Sequence, residues 1–176
     1  MALALFFLVY LFPFVDRNPY HIDVLVTAGI FMLLALGLNV IVGYAGILNL
    51  GYAALFAVGA YAYALANLHF QIPFWIGLAV SAAAATLAGM LFAFPALRLS
   101  GDYLAIVTLG AGEIVRIALN NLDEITGGPN GLLGIDHPTL FWPWQYDFSV
   151  HSEPYYYLVY TLVGITLFFL RRLEGS

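Results

Sequence analysis

An apolar run broken by four glycines reads Gly43-Tyr-Ala-Gly-Ile-Leu-Asn-Leu-Gly-Tyr-Ala-Ala-Leu-Phe-Ala-Val-Gly-Ala-Tyr61. Glycine frees the backbone and lets neighbouring helices approach closely. A helix interrupted at membrane depth is tolerated only where protein or a water-filled cavity covers its loose backbone groups, and in transporters such breaks often mark the substrate path. A short turn between two spans uses the same residue types, so this alternative stays open. Under the first interpretation, the candidate path residues are Gly43, Gly46, Asn49, Gly51 and Tyr52.

Composition places the chain in a lipid bilayer. Of its 176 residues, 63% are hydrophobic and only 9% are charged, whereas a soluble domain carries about 25% charged residues. The apolar segments are long and do not alternate with polar residues, so helices fit better than a β-barrel. The net charge is −5, with five arginines and no lysine, which argues against a nucleic-acid partner. Cysteine is absent, which excludes disulfides and thiolate metal sites.

We predict a single all-α membrane domain over residues 1–176, a polytopic bundle of about six transmembrane helices. The first apolar segment is shorter than the ~20 residues that a span needs. A cleaved signal peptide is the alternative for it, although the chain shows neither a basic leader nor a small-residue cleavage site. A long acidic and aromatic loop covers residues 122–154. The predicted spans are 2–15, 24–42, 52–68, 74–97, 103–121 and 155–170.

The arginines orient these spans. With the N-terminus in the cytoplasm, Arg98, Arg171 and Arg172 lie inside and Arg17 lies outside, which obeys the positive-inside rule. The loop 122–154 then faces outward. Its tryptophans and tyrosines are typical of an interfacial aromatic belt, and a carbohydrate-binding platform is the alternative interpretation.

Small residues recur at every fourth position along the longest apolar run. This spacing places them on one helix face. A stripe of small side chains favours close helix packing in lipid, where no hydrophobic force joins helices. The predicted packing residues are Gly77, Ser81, Ala85, Gly89 and Ala93.

Glu113 and Arg116 lie three residues apart within a predicted span, on one helix face. A lone charge at the bilayer centre costs about 3 kcal/mol or more, and such a pair can neutralise itself. We interpret it as a candidate intramembrane ion pair. One alternative is structural, with Arg116 snorkelling to the interface, and the other is a polar lining or relay.

No catalytic constellation occurs in the chain. Its four histidines fall in predicted loops without metal-ligand spacing, and there is neither a zinc-protease motif nor a phosphate-binding loop. We therefore predict that the chain is not an enzyme, binds no cofactor or metal, and takes any nucleotide energy from another chain. Asn49 stands alone within the glycine-rich stretch. It either hydrogen-bonds across helices or caps the helix that follows it.

Three sequence blocks follow one another along the chain. The first block is the glycine-rich stretch 43–61, and the second is Leu97-Arg-Leu-Ser-Gly-Asp-Tyr-Leu-Ala-Ile-Val-Thr-Leu-Gly-Ala-Gly-Glu-Ile-Val-Arg116. The third combines Asn120-Asn121 with a loop motif over 126–135. In this order the three blocks resemble the branched-chain amino acid ABC transporter permeases of the LivM type. That family usually has Ser and then His where this chain has Asn49 and Tyr52. The loop-motif residues are Thr126, Gly127, Gly128, Pro129, Asn130 and Gly131.

The resemblance implies a permease subunit of the bacterial inner membrane with a fold akin to the vitamin-B12-type importers. It implies a second permease subunit of the LivH type, two ATPase subunits inside and a periplasmic binding protein outside. Leucine, isoleucine and valine are the implied cargo, with urea or short amides as the alternative. Because the family is usually much longer, the chain resembles its N-terminal part. A stand-alone secondary transporter or channel, and a truncated scaffold that only packs with partners, are further hypotheses.

Overall fold

The computed structural model describes residue 10 and residues 12–15, 18–44, 46, 49–96, 99, 101–136 and 153–174. Every regular element in these residues is helical, which confirms the predicted all-α fold class. Most of the expected first span, 2–15, lies outside the described residues, and so does most of the second half of the loop 122–154.

Seven α-helices, one π-helical turn and one 3₁₀ turn make up the described chain. Helix α2 runs directly into the π turn, and the 3₁₀ turn follows α6. The bounds are α1 Phe12–Val15, α2 Pro19–Asn39, π turn Val40–Tyr44, α3 Tyr52–Phe70, α4 Phe74–Ala96, α5 Asp102–Asn121, α6 Asp123–Thr126, 3₁₀ turn Gly128–Asn130 and α7 Glu153–Glu174.

Five helical segments in the described residues are long and apolar enough to cross a membrane. At a rise of 1.5 Å per residue, about 20 residues match the ~30 Å thickness of a bilayer core. Many large apolar side chains on these helices are exposed in the isolated chain, such as Phe31, Leu91, Phe94 and Ile114. Exposed apolar helices of this length make the protein polytopic in the membrane, as predicted.

Contacts divide the chain into two compact units. The first unit comprises residues 1–40 and 139–176, and its centre is the packing of α2 on α7. Tyr156, Tyr160 and Ile22 form its fully buried core. Gly29 makes room for this packing, because a Cβ there would lie 2.6 Å from a methyl group of Val159. The Tyr160 hydroxyl donates to the backbone carbonyl of Leu25 at 3.3 Å, which satisfies the polar end of a buried ring.

The second unit comprises residues 41–138 and contains α3, α4 and α5. Helix α4 packs on α3 through small residues. A Cβ on Gly77 would lie 2.5 Å from the Tyr63 ring, and one on Gly59 would lie 3.2 Å from the Ser81 hydroxyl. That hydroxyl donates to the Gly59 carbonyl at 2.8 Å. Ala85 faces the same glycine.

The small-residue face of α4 continues toward its C-terminal half. Gly89 faces Leu55, because a Cβ on this glycine would lie 3.7 Å from the leucine side chain. Ala93, one turn further, is exposed. The close approach of α3 and α4 therefore runs along four of the five positions that share the stripe.

Polar contacts satisfy backbone groups at the C-terminal end of α3. Asn67 is 3% exposed; its amide nitrogen donates to the Ile72 carbonyl at 3.1 Å, and its amide oxygen accepts from the Asp136 backbone at 2.9 Å. Gln71 ends α3 in the left-handed conformation, with φ of 48°. Asn67 thus ties both the α3–α4 turn and the segment 131–136 to the end of α3.

The loop motif after α5, residues 126–131, folds into a compact turn. The buried Thr126 hydroxyl reaches two backbone carbonyls at the end of α5, at 2.5 Å from Leu119 and 2.8 Å from Leu122. Gly127 and Gly131 both have positive φ, of 71° and 68°. A Cβ on Gly127 would overlap the Gly131 carbonyl oxygen. Glycine is therefore required at Gly127 by both conformation and space.

Candidate functional site

Gly51 lies directly against α5. A Cβ on Gly51 would overlap the backbone carbonyl oxygen of Thr108, and a Cβ on Gly112 would lie 3.0 Å from the Gly51 α-carbon. The two glycines therefore allow the backbones of α3 and α5 to touch at this point. No side chain larger than hydrogen fits at Gly51 without moving one of the helices.

The backbone just before α3 is held by Thr108. The Leu50 amide donates to the Thr108 hydroxyl at 3.1 Å, and this hydroxyl donates to the Ala105 carbonyl at 3.0 Å. Asn49 acts locally, because its side-chain oxygen accepts from the Gly51 amide at 3.0 Å. Among the described residues, the hydrogen bond that ties the backbone just before α3 to α5 is thus made by Thr108 and not by Asn49.

The contact lies beside the middle of α5. Gly112 comes ten residues after the first residue of α5 and nine before the last, or about 15 Å along the helix at 1.5 Å per residue. Thr108 lies about 9 Å from the start of the helix by the same measure. The break in the chain at 49–51 therefore lies at the depth of a spanning segment, where its amide groups need protein partners.

A groove of about 350 Å³ opens between α3 and α5 at this break. Its α3 wall consists of three alanines and Tyr61, and its α5 wall carries the Glu113–Arg116 pair. The groove thus brings together two features that are 62 and 65 residues apart in sequence, Gly51 and the charged pair. The lining residues are Leu50, Gly51, Ala53, Ala54, Ala57, Tyr61, Leu109, Gly112, Glu113, Val115, Arg116, Leu119 and Asn120.

Glu113 and Arg116 form a bidentate ion pair on the α5 wall. Arg116 Nε donates to the two carboxylate oxygens at 2.9 and 3.1 Å, and Nη2 donates to Oε1 at 2.5 Å. The Arg116 and Glu113 side chains are 64% and 50% exposed in this chain, so the pair faces the open groove. Its two charges cancel, which lowers the cost of holding them within a span.

Other predicted path residues lie elsewhere. Asn49 lines a second, smaller cavity of about 50 Å³ on the other side of Gly51, together with Phe92 and Thr108. Tyr52 is half-buried and lines neither cavity, while Gly43 and Gly46 are exposed. Gly46 has φ of +64°, a conformation that favours glycine.

Sequence reasoning did not single out Thr108 or Asn67, although both are buried and hydrogen-bond across long sequence distances. A hydroxyl inside an apolar span, four residues before Gly112, is the pattern that could have indicated Thr108. Asn67 could have been found as an amide in the last turn of an apolar helix. Within the described part of the chain, no group of three His, Asp or Glu side chains is placed to hold a metal ion.

The chain has several spanning helices, a non-helical connection at 49–51 beside the middle of α5, and a groove with one charged wall. These features define a polytopic membrane protein of the transport type. The sequence profile of the family described as "Branched-chain amino acid transport system / permease component" matches residues 20–173. The chain belongs to this family, as the resemblance predicted.

Two relatives carry the name high-affinity branched-chain amino acid transport system permease protein LivM. The protein from Escherichia coli (strain K12) is 52% identical over 139 residues, which cover 78% of this chain and 32% of the relative. The protein from Salmonella typhimurium is 50% identical over 140 residues, which cover 79% of this chain and 32% of the relative. The matched part thus spans about a third of each relative. No solved structure gives a significant match.

Proposed function

We propose that this chain forms part of the permease subunit of an ABC importer that moves branched-chain amino acids across the bacterial inner membrane. The observation that carries this proposal is the groove at the Gly51 break, beside the middle of α5, in a member of a transport permease family. The related proteins named as branched-chain permeases support the cargo class. In this proposal the path runs past Gly51, while Gly43, Gly46, Asn49 and Tyr52 belong to the segment that leads to it.

The groove suits a small aliphatic solute. Its volume of about 350 Å³ lies within the ~300–1,000 Å³ range of small-molecule sites. Ala53, Ala54 and Ala57 leave space along one wall, and Leu109 and Val115 add apolar surface along the other. These walls are complementary to a short hydrocarbon side chain.

The energy source in this proposal lies on other chains. The sequence has no Gly-rich phosphate-binding loop with a lysine, so two separate ATPase subunits would bind on the cytoplasmic side. A second permease subunit of the LivH type and a periplasmic binding protein would complete the importer. The N-terminus is cytoplasmic in this arrangement, and the compact turn at 126–131 then lies on the outer side, where the binding protein docks.

Uptake of labelled leucine by the full natural chain, co-expressed with its partner subunits in cells without their own branched-chain uptake, tests the proposal. We expect saturable leucine uptake that isoleucine and valine compete and urea does not. Uptake should stop when the catalytic residue of the ATPase subunits is changed. Flux that continues without the ATPase would instead indicate a secondary transporter or channel, and uptake of urea in place of leucine would refute the cargo.

A further inference from the structure

We propose that the Glu113–Arg116 pair binds the charged groups of the solute: Arg116 holds the α-carboxylate and Glu113 holds the α-ammonium group of a zwitterionic amino acid. The inference rests on the proposed function, because it needs a solute in the groove between α3 and α5. It assigns the pair a direct contact with cargo, where a structural pair would serve only the helix that carries it.

The pair keeps unused hydrogen-bonding capacity. A guanidinium group has five N–H donors, and within the described part of the chain Arg116 uses its Nε–H and one Nη2–H, both toward Glu113. The two Nη1–H donors and the second Nη2–H remain for a carboxylate. Among the residues that the structure describes, Glu113 Oε2 accepts only from Arg116 Nε. A carboxylate oxygen has two lone pairs, so Oε2 can still accept from an ammonium group.

The position of the pair also favours a cargo contact. Both side chains line the groove. Of the α3 residues that line it, Tyr61 carries the one side-chain hydroxyl, and the others are Ala53, Ala54 and Ala57. These alanines carry no polar side-chain atom that could satisfy the charged pair. Ionisable residues within spans generally face a cavity and mark the path of an ion or substrate.

Charge balance makes the exchange feasible. The pair is neutral, and a zwitterion is neutral, so the four charges together add no net charge within the span. Bidentate contact between guanidinium and carboxylate also fixes the orientation of the solute. With its charged end on α5, the solute's side chain can lie against Leu109 and Val115 on the same wall. The recognised class is therefore α-amino acids with short aliphatic side chains.

The test measures maximal leucine uptake, at saturating binding protein, in proteoliposomes that contain the full natural chain and its partner subunits. The variants are Glu113→Gln, Arg116→Gln, Arg116→Lys and the exchange Glu113→Arg/Arg116→Glu. Ile114→Ala is the matched control, because Ile114 is exposed on the same helix outside the groove. Gel filtration of each preparation measures assembly.

We expect each Gln variant to lose uptake about 10-fold or more, as the loss of a charged hydrogen bond predicts, while Ile114→Ala keeps it. Arg116→Lys should also be impaired, since an ammonium group lacks the planar fork. The exchange variant restores an ion pair with reversed direction, so it should assemble but transport poorly. Normal uptake in Arg116→Lys, in either Gln variant or in the exchange variant overturns the inference and leaves a structural pair. Absence of leucine uptake in the wild type would instead refute the proposed function itself.

Discussion

The backbone amide of Leu50 donates a hydrogen bond to the side-chain hydroxyl of Thr108, at 3.1 Å and across 58 residues of sequence. This bond joins a residue two positions before the start of α3 to the N-terminal half of α5. It supplies a partner to a backbone donor beside the middle of a spanning helix, where lipid offers no hydrogen bond and an unpaired amide is costly. A side chain of α5 thus holds the backbone that precedes α3 against α5.

Removal of the Thr108 hydroxyl should loosen the start of α3. Thr108→Val keeps the shape of the side chain but leaves the Leu50 amide unpaired, at a cost of about 1–3 kcal/mol. We expect faster hydrogen exchange over residues 49–55 and slower leucine uptake, whereas Thr108→Ser should keep both near wild type. Thr86→Val is the matched control, because within the described ranges the exposed Thr86 hydroxyl bonds only to the carbonyl of Ala82 on its own helix. Equal behaviour of Thr108→Val and Thr86→Val would contradict the role of this bond.

Two glycines on α5 provide a test of the close approach at Gly51. Gly112→Ala places a methyl group 3.0 Å from the Gly51 α-carbon, and overpacking of this kind costs about 1–3 kcal/mol. Gly110→Ala has open space and gains up to about 1 kcal/mol of helix propensity. We therefore expect a lower melting temperature and lower uptake for Gly112→Ala only. A Gly110→Ala variant that is destabilised as strongly would show that the contact at Gly51 is not the cause.

Asn67→Ala should release the segment 131–136 from the end of α3. It removes the partners of the Ile72 carbonyl and of the Asp136 amide, and each buried group left unpaired costs about 1–3 kcal/mol. We expect increased hydrogen exchange at 131–136 and faster proteolysis there. Asn121→Ala is the control, since Asn121 is exposed and its side chain, in the part of the chain that the structure describes, bonds only to the Ile117 carbonyl one turn earlier. Unchanged hydrogen exchange at 131–136 in Asn67→Ala would show that Asn67 does not hold this segment at the end of α3.

Two alanine substitutions in the compact turn at 126–131 should lower the stability of the protein to different extents. Both Gly127 and Gly131 have positive φ. The left-handed backbone of Gly127 costs an alanine about 1–2 kcal/mol, and the backbone of Gly131, with ψ of −175°, costs an alanine about 1–3 kcal/mol. Only at Gly127 does the new methyl group also overlap another backbone atom, the Gly131 carbonyl oxygen. Thermal unfolding of the purified protein should therefore show a larger loss for Gly127→Ala than for Gly131→Ala. A larger loss of stability for Gly131→Ala than for Gly127→Ala would mean that the turn at 126–131 has a different conformation.

The fold class was accessible from sequence because it depends on local properties. Long apolar runs, their bounding turn residues and the scarcity of charge predict spanning helices, and the described helices are long and apolar enough to span a membrane. The three motif blocks indicated the family that the profile match identifies. The path, packing and loop-motif roles of individual residues stay predictions for the experiments above to test.

Helical periodicity specified that Glu113 and Arg116 share one face of a helix, and the glycines of the stretch 43–61 indicated either a helix interruption or a short turn at Gly51. It carried no information on which helix that face meets, or at what height. The height of α3 against α5 follows from many weak packing contacts, among them those of Gly51 with Thr108 and Gly112, and these appear only when the whole unit assembles. For this reason the groove that joins the break to the charged pair, and the roles of Thr108 and Asn67, emerged from the tertiary structure alone.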